Sequence, residues 1–312
     1  MTDVVANPYT FFGITTFGKV DHVPLDQEWT ADVGVLGVPF DLGVGYRSGA
    51  RFGPKAIRDI SVRYRLSGDR PGYWDLRTER YRAACRVVDF GDVITAPLDW
   101  EQCYANITRD VGRLLERDVF PVVLGGDHSI TFPVLRAFEG REPITIVHFD
   151  AHTDYRDQVL GVRFGHGSVM RRCSELPWIT NVYSIGIRSL RTLEEDVKAL
   201  RQRGNILIPM WDVSDNPLQS IVDRLPQGKN VYITVDIDAM DPGIAPGTGT
   251  PEVGGLQYAQ ARALLQAVCA RNKVVGLDVV ELNPLFDSGQ ITALLAAQLI
   301  IETVGFVRLG PA

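Results

Sequence analysis

ITIVHFDAHTD, residues 144–154, decides the fold and points to the chemistry. Its first half is apolar or β-branched on both faces apart from His148. That is the pattern of a strand buried in a parallel sheet between two layers of helices. It then breaks into Asp150, His152 and Asp154 at alternate positions. In an extended chain residues i, i+2 and i+4 point to one side, so these three aim at a common point if the strand runs on that far.

Seven further runs resemble it: VGVLGV (33–38), CRVVDFGDV (85–93), FPVVLGG (120–126), VYSIGI (182–187), ILIPM (206–210), VYITVDID (231–238) and VVGLDVVEL (274–282). Amphipathic spacers separate them, and residues 100–118, 193–204, 258–270 and 291–305 predict helices. Strand and helix in alternation mean βαβ units and a three-layer α/β domain, its strands buried in a parallel sheet covered by helices. The Gly- and Pro-rich stretches GVGYRSGARFGPKAIR (43–58) and DPGIAPGTGTPEVGGL (241–256) read as loops. No linker or shift of composition divides the chain. Residues 31–312 are read as one domain, and residues 1–30 as an N-terminal extension that packs on the body or on a neighbouring subunit.

The chain has 312 residues, 45% hydrophobic and 22% charged, with a formal net charge of −6. This is the balance of a soluble globular protein. The mild acidity argues against a nucleic-acid partner, which a basic face would have to hold. No apolar run approaches the roughly 20 residues that span a bilayer, so no membrane partner is expected. Cys85, Cys103, Cys173 and Cys269 are far apart and show no CxxC spacing. With no secretory signal at the N-terminus, reduced thiols and a cytoplasmic location are expected.

Open parallel sheets bind ligands beyond the carboxyl ends of their strands. Three strands end in metal-ligand types: Asp127 and His128 in GGDHS, Asp150, His152 and Asp154 in DAHTD, and Asp236, Asp238 and Asp241 in DIDAMD. Asp127 also fits a helix cap, His148 a hydrogen-bonded core histidine supporting a ligand, and Asp241 a turn. The remaining four carboxylates and two imidazoles would repel one another if buried bare. Two divalent ions balance four carboxylates. Oxygen-rich donors with two imidazoles and no sulfur favour Mn²⁺, with Ni²⁺ the leading alternative, over a structural zinc. Two such ions can turn a water between them into hydroxide near neutral pH.

The chain resembles the ureohydrolase (arginase/agmatinase) family, nearer its agmatinase branch, from about residue 30 to 308. The likeness lies in GVPFDLGVGYRSGARFGPKAIR (37–58), GGDHSI (125–130), HFDAHTD (148–154), GHGS (165–168), SIGIRS (184–189), DIDAMDPGIAPGTGTPEVGGL (236–256) and DVVELNP (278–284). It implies an arginase-like fold, a three-layer α/β/α domain around an eight-stranded, mostly parallel sheet, and a homo-oligomer, trimer or hexamer. It further implies hydrolysis of a guanidine C–N bond to urea, or a urea derivative, plus an amine. One ion would take His128, Asp150, Asp154 and Asp236, and the other Asp150, His152, Asp236 and Asp238. His166 would shuttle protons, as suits an imidazole near pH 7, and Glu281 would pair with the guanidinium. Asp154 would pass a proton to the departing nitrogen.

The substrate's tail stays open. Arg163 or Arg156 could pair with a carboxylate tail, as in guanidinobutyrate or guanidinopropionate. Asp157 could pair with a cationic tail, as in agmatine. Tyr155 could narrow the pocket for a small guanidine or a biguanide. Any of these charges could equally form surface ion pairs. Two rivals remain: a single-zinc amidohydrolase resembling histone deacetylases, and a non-enzymatic chain that co-assembles with a catalytic paralogue.

Overall fold

The computed structural model describes residues 14–68, 71–96 and 98–307. Its strands are β1 (Asp21–His22), β2 (Val33–Gly37), β3 (Tyr73–Asp75), β4 (Arg80–Arg82), β5 (Val87–Asp92), β6 (Phe120–Leu124), β7 (Ile144–Phe149), β8 (Ile179–Ile187), β9 (Ile206–Pro209), β10 (Asn230–Asp236) and β11 (Lys273–Val280). Nine of them form one sheet in the order β1-β5-β2-β6-β11-β10-β7-β8-β9, and β3 and β4 form a separate hairpin. Every pairing in the large sheet is parallel.

The helices are α1 (Gly53–Ser61), α2 (Trp100–Leu115), α3 (Thr131–Arg136), α4 (Val169–Ser174), α5 (Glu194–Gln202), α6 (Met210–Asp215), α7 (Leu218–Val222), α8 (Tyr258–Arg271) and α9 (Ile291–Phe306). Two apolar clusters flank the sheet. One gathers Ile57, Met210, Ile221, Leu264 and Ile300 from α1 and α6 to α9. The other gathers Ile107, Val134, Met170 and Leu200 from α2 to α5. A sheet with both faces covered explains why its central strands are almost wholly apolar: β2, β6 and β7 are buried throughout, with Thr145 and His148 of β7 the polar exceptions. The four predicted helices lie where expected, each end within three residues. Among the described residues no helix is long and apolar enough to cross a membrane.

Two expectations change. The sheet has nine strands rather than eight, because Asp21 and His22 pair with Val88 and Asp89 at its edge. The extension therefore joins the body: Phe17 is buried, and its N–H donates to Asp89 Oδ2 at 2.8 Å. Residues 1–13 of the extension lie outside the described residues. Second, the 43–58 stretch is not loop to its end, since α1 starts at Gly53 with Pro54 in its first turn. Proline is favoured there because the first helical N–H groups have no acceptor anyway.

Candidate active site

Four strands adjacent in the sheet, β6, β11, β10 and β7, end on one patch. Beyond β6 stand Asp127 and His128, beyond β7 Asp150 to Asp154, at the end of β10 Asp236 and Asp238, and beyond β11 Glu281. The strands do not run on as the alternate spacing would require. β7 stops at Phe149, and Asp154 sits at a φ of 47°. Asp236 closes β10, and Asp238 lies in a 3-10 turn, where its N–H donates to Asp236 Oδ1 at 2.9 Å. The acids converge through turns instead of pleats. Left-handed backbone at Asp154, and at Glu281 with a φ of 62°, costs on the order of 1 to 3 kcal/mol each and is typical of functional sites.

His128 is the centre of the patch. Its Nδ1 lies 3.2 Å from Asp150 Oδ2, 3.2 Å from Asp154 Oδ2 and 3.3 Å from Asp236 Oδ2. It is wholly buried and has no hydrogen-bond partner. A buried imidazole nitrogen facing three carboxylate oxygens is a donor set that fits a divalent cation. Nε2 lies 3.0 Å from Thr234 Oγ1, which fixes the ring and leaves Nδ1 free to ligate. Behind Thr234, the buried Asp278 accepts from Thr131 Oγ1 and from the Tyr232 hydroxyl, both at 2.9 Å.

A second set adjoins it. His152 Nδ1 stands 3.4 Å from Asp150 Oδ1 and 3.2 Å from Asp238 Oδ2. Asp150 thus faces both sets. His148 comes close enough to the first set to count as a donor, but its Nε2 is 2.7 Å from Asp150 Oδ2 and its Nδ1 3.0 Å from Ser184 Oγ. Both nitrogens are occupied, so His148 supports Asp150. Asp127 caps the turn at His128 and receives Gly43 N–H at 2.7 Å. A Cβ at Gly43 would lie 2.9 Å from that same carboxylate oxygen, so only glycine fits. Asp241 is a turn residue accepting from Gly243, Gly254 and Gly255.

Buried charge dominates the electrostatics. Burial pushes the Asp236 carboxyl well above the usual range, and Asp238 and Asp150 add to the push. Burial, then Glu281, lifts Asp127 to about 7. Burial disfavours the imidazolium of His152, yet Asp238 and Asp150 outweigh it and raise the ring to about 12. The cluster holds protons wherever cations are not supplied. This is the competition expected of metal ligands, which must be deprotonated to bind.

His166 and Glu281 adjoin the cluster. Glu281 Oε1 accepts from His128 N–H at 2.9 Å and stands 3.0 Å from His166 Nδ1. Glu281 is only 2% exposed, and His166, a quarter exposed, covers it from the cleft. Burial opposes the His166 imidazolium, but Glu281 prevails and raises it to about 9, so it is charged at neutral pH rather than balanced there.

A cleft of about 1050 Å³ opens above this floor. Phe40, Leu42, Tyr46, Trp100 and Phe164 give it apolar walls, and Arg156, Arg163 and Arg191 also line it. Trp100 and Phe164 stack at 5.2 Å. Tyr155 does not narrow the cleft. It is fully buried, its hydroxyl 2.8 Å from Ser174 Oγ and accepting from Asn205 Nδ2 at 3.0 Å. Nor does Asp157 line the cleft: it pairs with Arg172 at 2.9 Å, with Arg171 and Arg163 farther off.

Sequence reasoning missed several supports. Thr250 Oγ1 donates to Asp238 Oδ2 at 3.1 Å. Glu252 Oε1 lies 3.4 Å from His152 Nε2. Arg188 lies buried and donates to the carbonyls of Gly186, Asp238, Ala239, Met240, Glu252 and Val253, tying the 241–256 loop to the turn at Asp238. Arg188, Thr250 and Glu252 lie inside motifs already singled out, SIGIRS and DIDAMDPGIAPGTGTPEVGGL. A glutamate and an arginine within such Gly-rich turns were the available signal.

The arginase-family profile matches residues 31–305. The guanidinobutyrase of Pseudomonas aeruginosa is 36% identical over 94% of this chain and 92% of its own length. The agmatinase of Bacillus subtilis is also 36% identical, over 93% of this chain and 97% of its own. The solved structure of proclavaminate amidino hydrolase from Streptomyces clavuligerus superposes with a TM-score of 0.85 at 34% identity, covering 95% of this chain and 98% of that one.

Proposed function

This chain belongs to the arginase family, and we propose that it is a ureohydrolase, opening a C–N bond of a guanidinium group with water to give urea, or a substituted urea, and an amine. The unpartnered His128 Nδ1 among three carboxylate oxygens is the observation that carries this reading. His128, Asp150, Asp154 and Asp236 would hold one divalent ion, and Asp150, His152, Asp236 and Asp238 the other. Mn²⁺ suits these donors best, with Ni²⁺ the alternative. When bound, the ions supply the nucleophilic water and the charge that stabilises a tetrahedral centre.

The protein's own groups do the rest. A guanidinium is a stronger partner for Glu281 than an imidazole, because it offers two parallel N–H donors. Substrate therefore reaches Glu281 by displacing His166 from it. The freed imidazolium faces the departing nitrogen and can give it a proton, while Asp154 accepts the one that the water loses. The sum balances: guanidinium and water become urea and an ammonium. This reading takes residues 31–312 as one catalytic domain, acting in the cytoplasm as a homo-oligomer.

The test is urea release by the purified chain, loaded with Mn²⁺ or Ni²⁺. The substrates are agmatine, guanidinobutyrate, guanidinopropionate, arginine, guanidine and a biguanide, with amine release followed for the last. Urea from at least one guanidine with about two ions per chain is the expected result. Full activity at one ion per chain would support the single-zinc rival. Release of neither urea nor amine from any compound would leave only the non-enzymatic partner.

A further inference from the structure

We infer that the substrate's tail carries a carboxylate, selected at the mouth of the cleft by Arg163 with Arg191; this rests on the floor being a guanidinium-hydrolysing centre. Among the described residues, the acids lining the cleft are Asp154 and Asp236, both committed to the floor, whereas its arginines are Arg156, Arg163 and Arg191. An ammonium tail leaving the floor would meet guanidinium groups and no free carboxylate.

The three arginines are not equally available. Arg156 is tied down, with Nε 3.0 Å from Asp196 and Nη2 donating to the Arg191 carbonyl at 2.8 Å. Arg163 is 55% exposed, and its carboxylate contacts are long: 4.0 Å to Asp157 and 3.9 Å to Glu175. Arg172 already engages both of those acids, at 2.9 and 3.0 Å. The Arg163 guanidinium is thus left without a close acid.

Arg191 also lines the mouth. It is 61% exposed, and its acid contact is long, 3.7 Å from Nε to Glu252 Oε1, with Nη2 2.8 Å from His152 Nε2.

Arg163 is also well placed. Val159 and Val162 exchange backbone hydrogen bonds at 2.9 Å, closing a tight hairpin just before it. Phe164, just after it, stacks on Trp100. The backbone of Arg163 is held between two anchored points, which places its side chain beside apolar walls that suit a methylene chain. Fixing a cation in advance lowers the ordering cost of binding an anion.

The experiment compares kcat/KM for 4-guanidinobutyrate and agmatine, which are similar in length and opposite in tail charge. It uses the unvaried protein, Arg163→Glu and Arg163→Lys. The unvaried protein should prefer the acid by about tenfold or more. Arg163→Glu should cut that ratio about tenfold, and Arg163→Lys should keep it in the acid's favour. Urea release that favours agmatine, or a ratio that Arg163→Glu does not move, would overturn the inference while leaving the reading of the floor intact. No urea from either compound or from the tail-less guanidine would overturn both.

Discussion

The floor of the cleft and its rim were built by different means. On the floor, the ends of four adjacent parallel strands place His128, Asp150, Asp236 and Glu281 within one patch. Each is buried, and each is braced by a hydrogen bond or by a neighbouring ligand. At the rim, Arg163 and Arg191 sit on loops, more than half exposed, with long or shared contacts. The difference teaches where this fold keeps its chemistry and where it keeps its choice of substrate. A sheet can fix the reacting groups because it is rigid; loops can change the tail they accept without disturbing it.

The sharpest way to break the comparison is at the floor. Asp236 stands 3.3 Å from His128 Nδ1 and receives the Asp238 N–H, so it serves both halves of the cluster. Asp236→Ala should lower kcat/KM about a thousandfold or more, the equivalent of several kcal/mol of transition-state stabilisation. Elemental analysis should find fewer than two ions bound. Full metal content together with full activity would mean that the cluster is structural.

A smaller effect is expected at the junction of floor and rim. His166 is held protonated by Glu281 and titrates at about 9, above its ordinary value. The charge is complete below the ordinary imidazole range and is lost as pH rises through about 9. kcat/KM, which reports the enzyme before substrate displaces His166 from Glu281, should therefore fall on the alkaline side of that value. His166→Asn should reduce kcat by about a hundredfold and abolish that limb, with metal content preserved. A variant that keeps the limb would assign it to another group.

How legible the two regions were in the sequence follows from the same difference. Strands buried on both faces leave unbroken apolar runs, so the eight long ones could be read directly, and the polar residues that end them marked the floor. The ninth strand, Asp21–His22, was not legible, because both residues are exposed and carry no apolar signal. Helix α1 was hidden by Gly53 and Pro54, which mark a loop by composition yet sit in its first turn. The six candidate ligands do come together, but by turns at Asp154 and Asp238 rather than by the alternation of a continuing strand. His166 covering Glu281 left no trace in sequence, since a contact between positions 115 residues apart has no local pattern.

Tyr155 sharpens the boundary, for it follows a floor acid in sequence yet belongs to neither region. Its side chain turns into the core beneath α4, where the hydroxyl meets Ser174 Oγ and receives Asn205 Nδ2. Asn205 in turn accepts the Val182 N–H of β8 at 2.9 Å. Tyr155→Phe would keep the ring's packing and remove only the hydroxyl, leaving a buried amide donor without its acceptor. The expected loss is about 1 to 2 kcal/mol of stability, read as an earlier denaturant midpoint with an unchanged slope. The preference between 4-guanidinobutyrate and agmatine should stay as it is in the unvaried protein. A changed preference would place this side chain at the cleft after all, and would mean that the rim begins one residue after Asp154 rather than at the hairpin that carries Arg163.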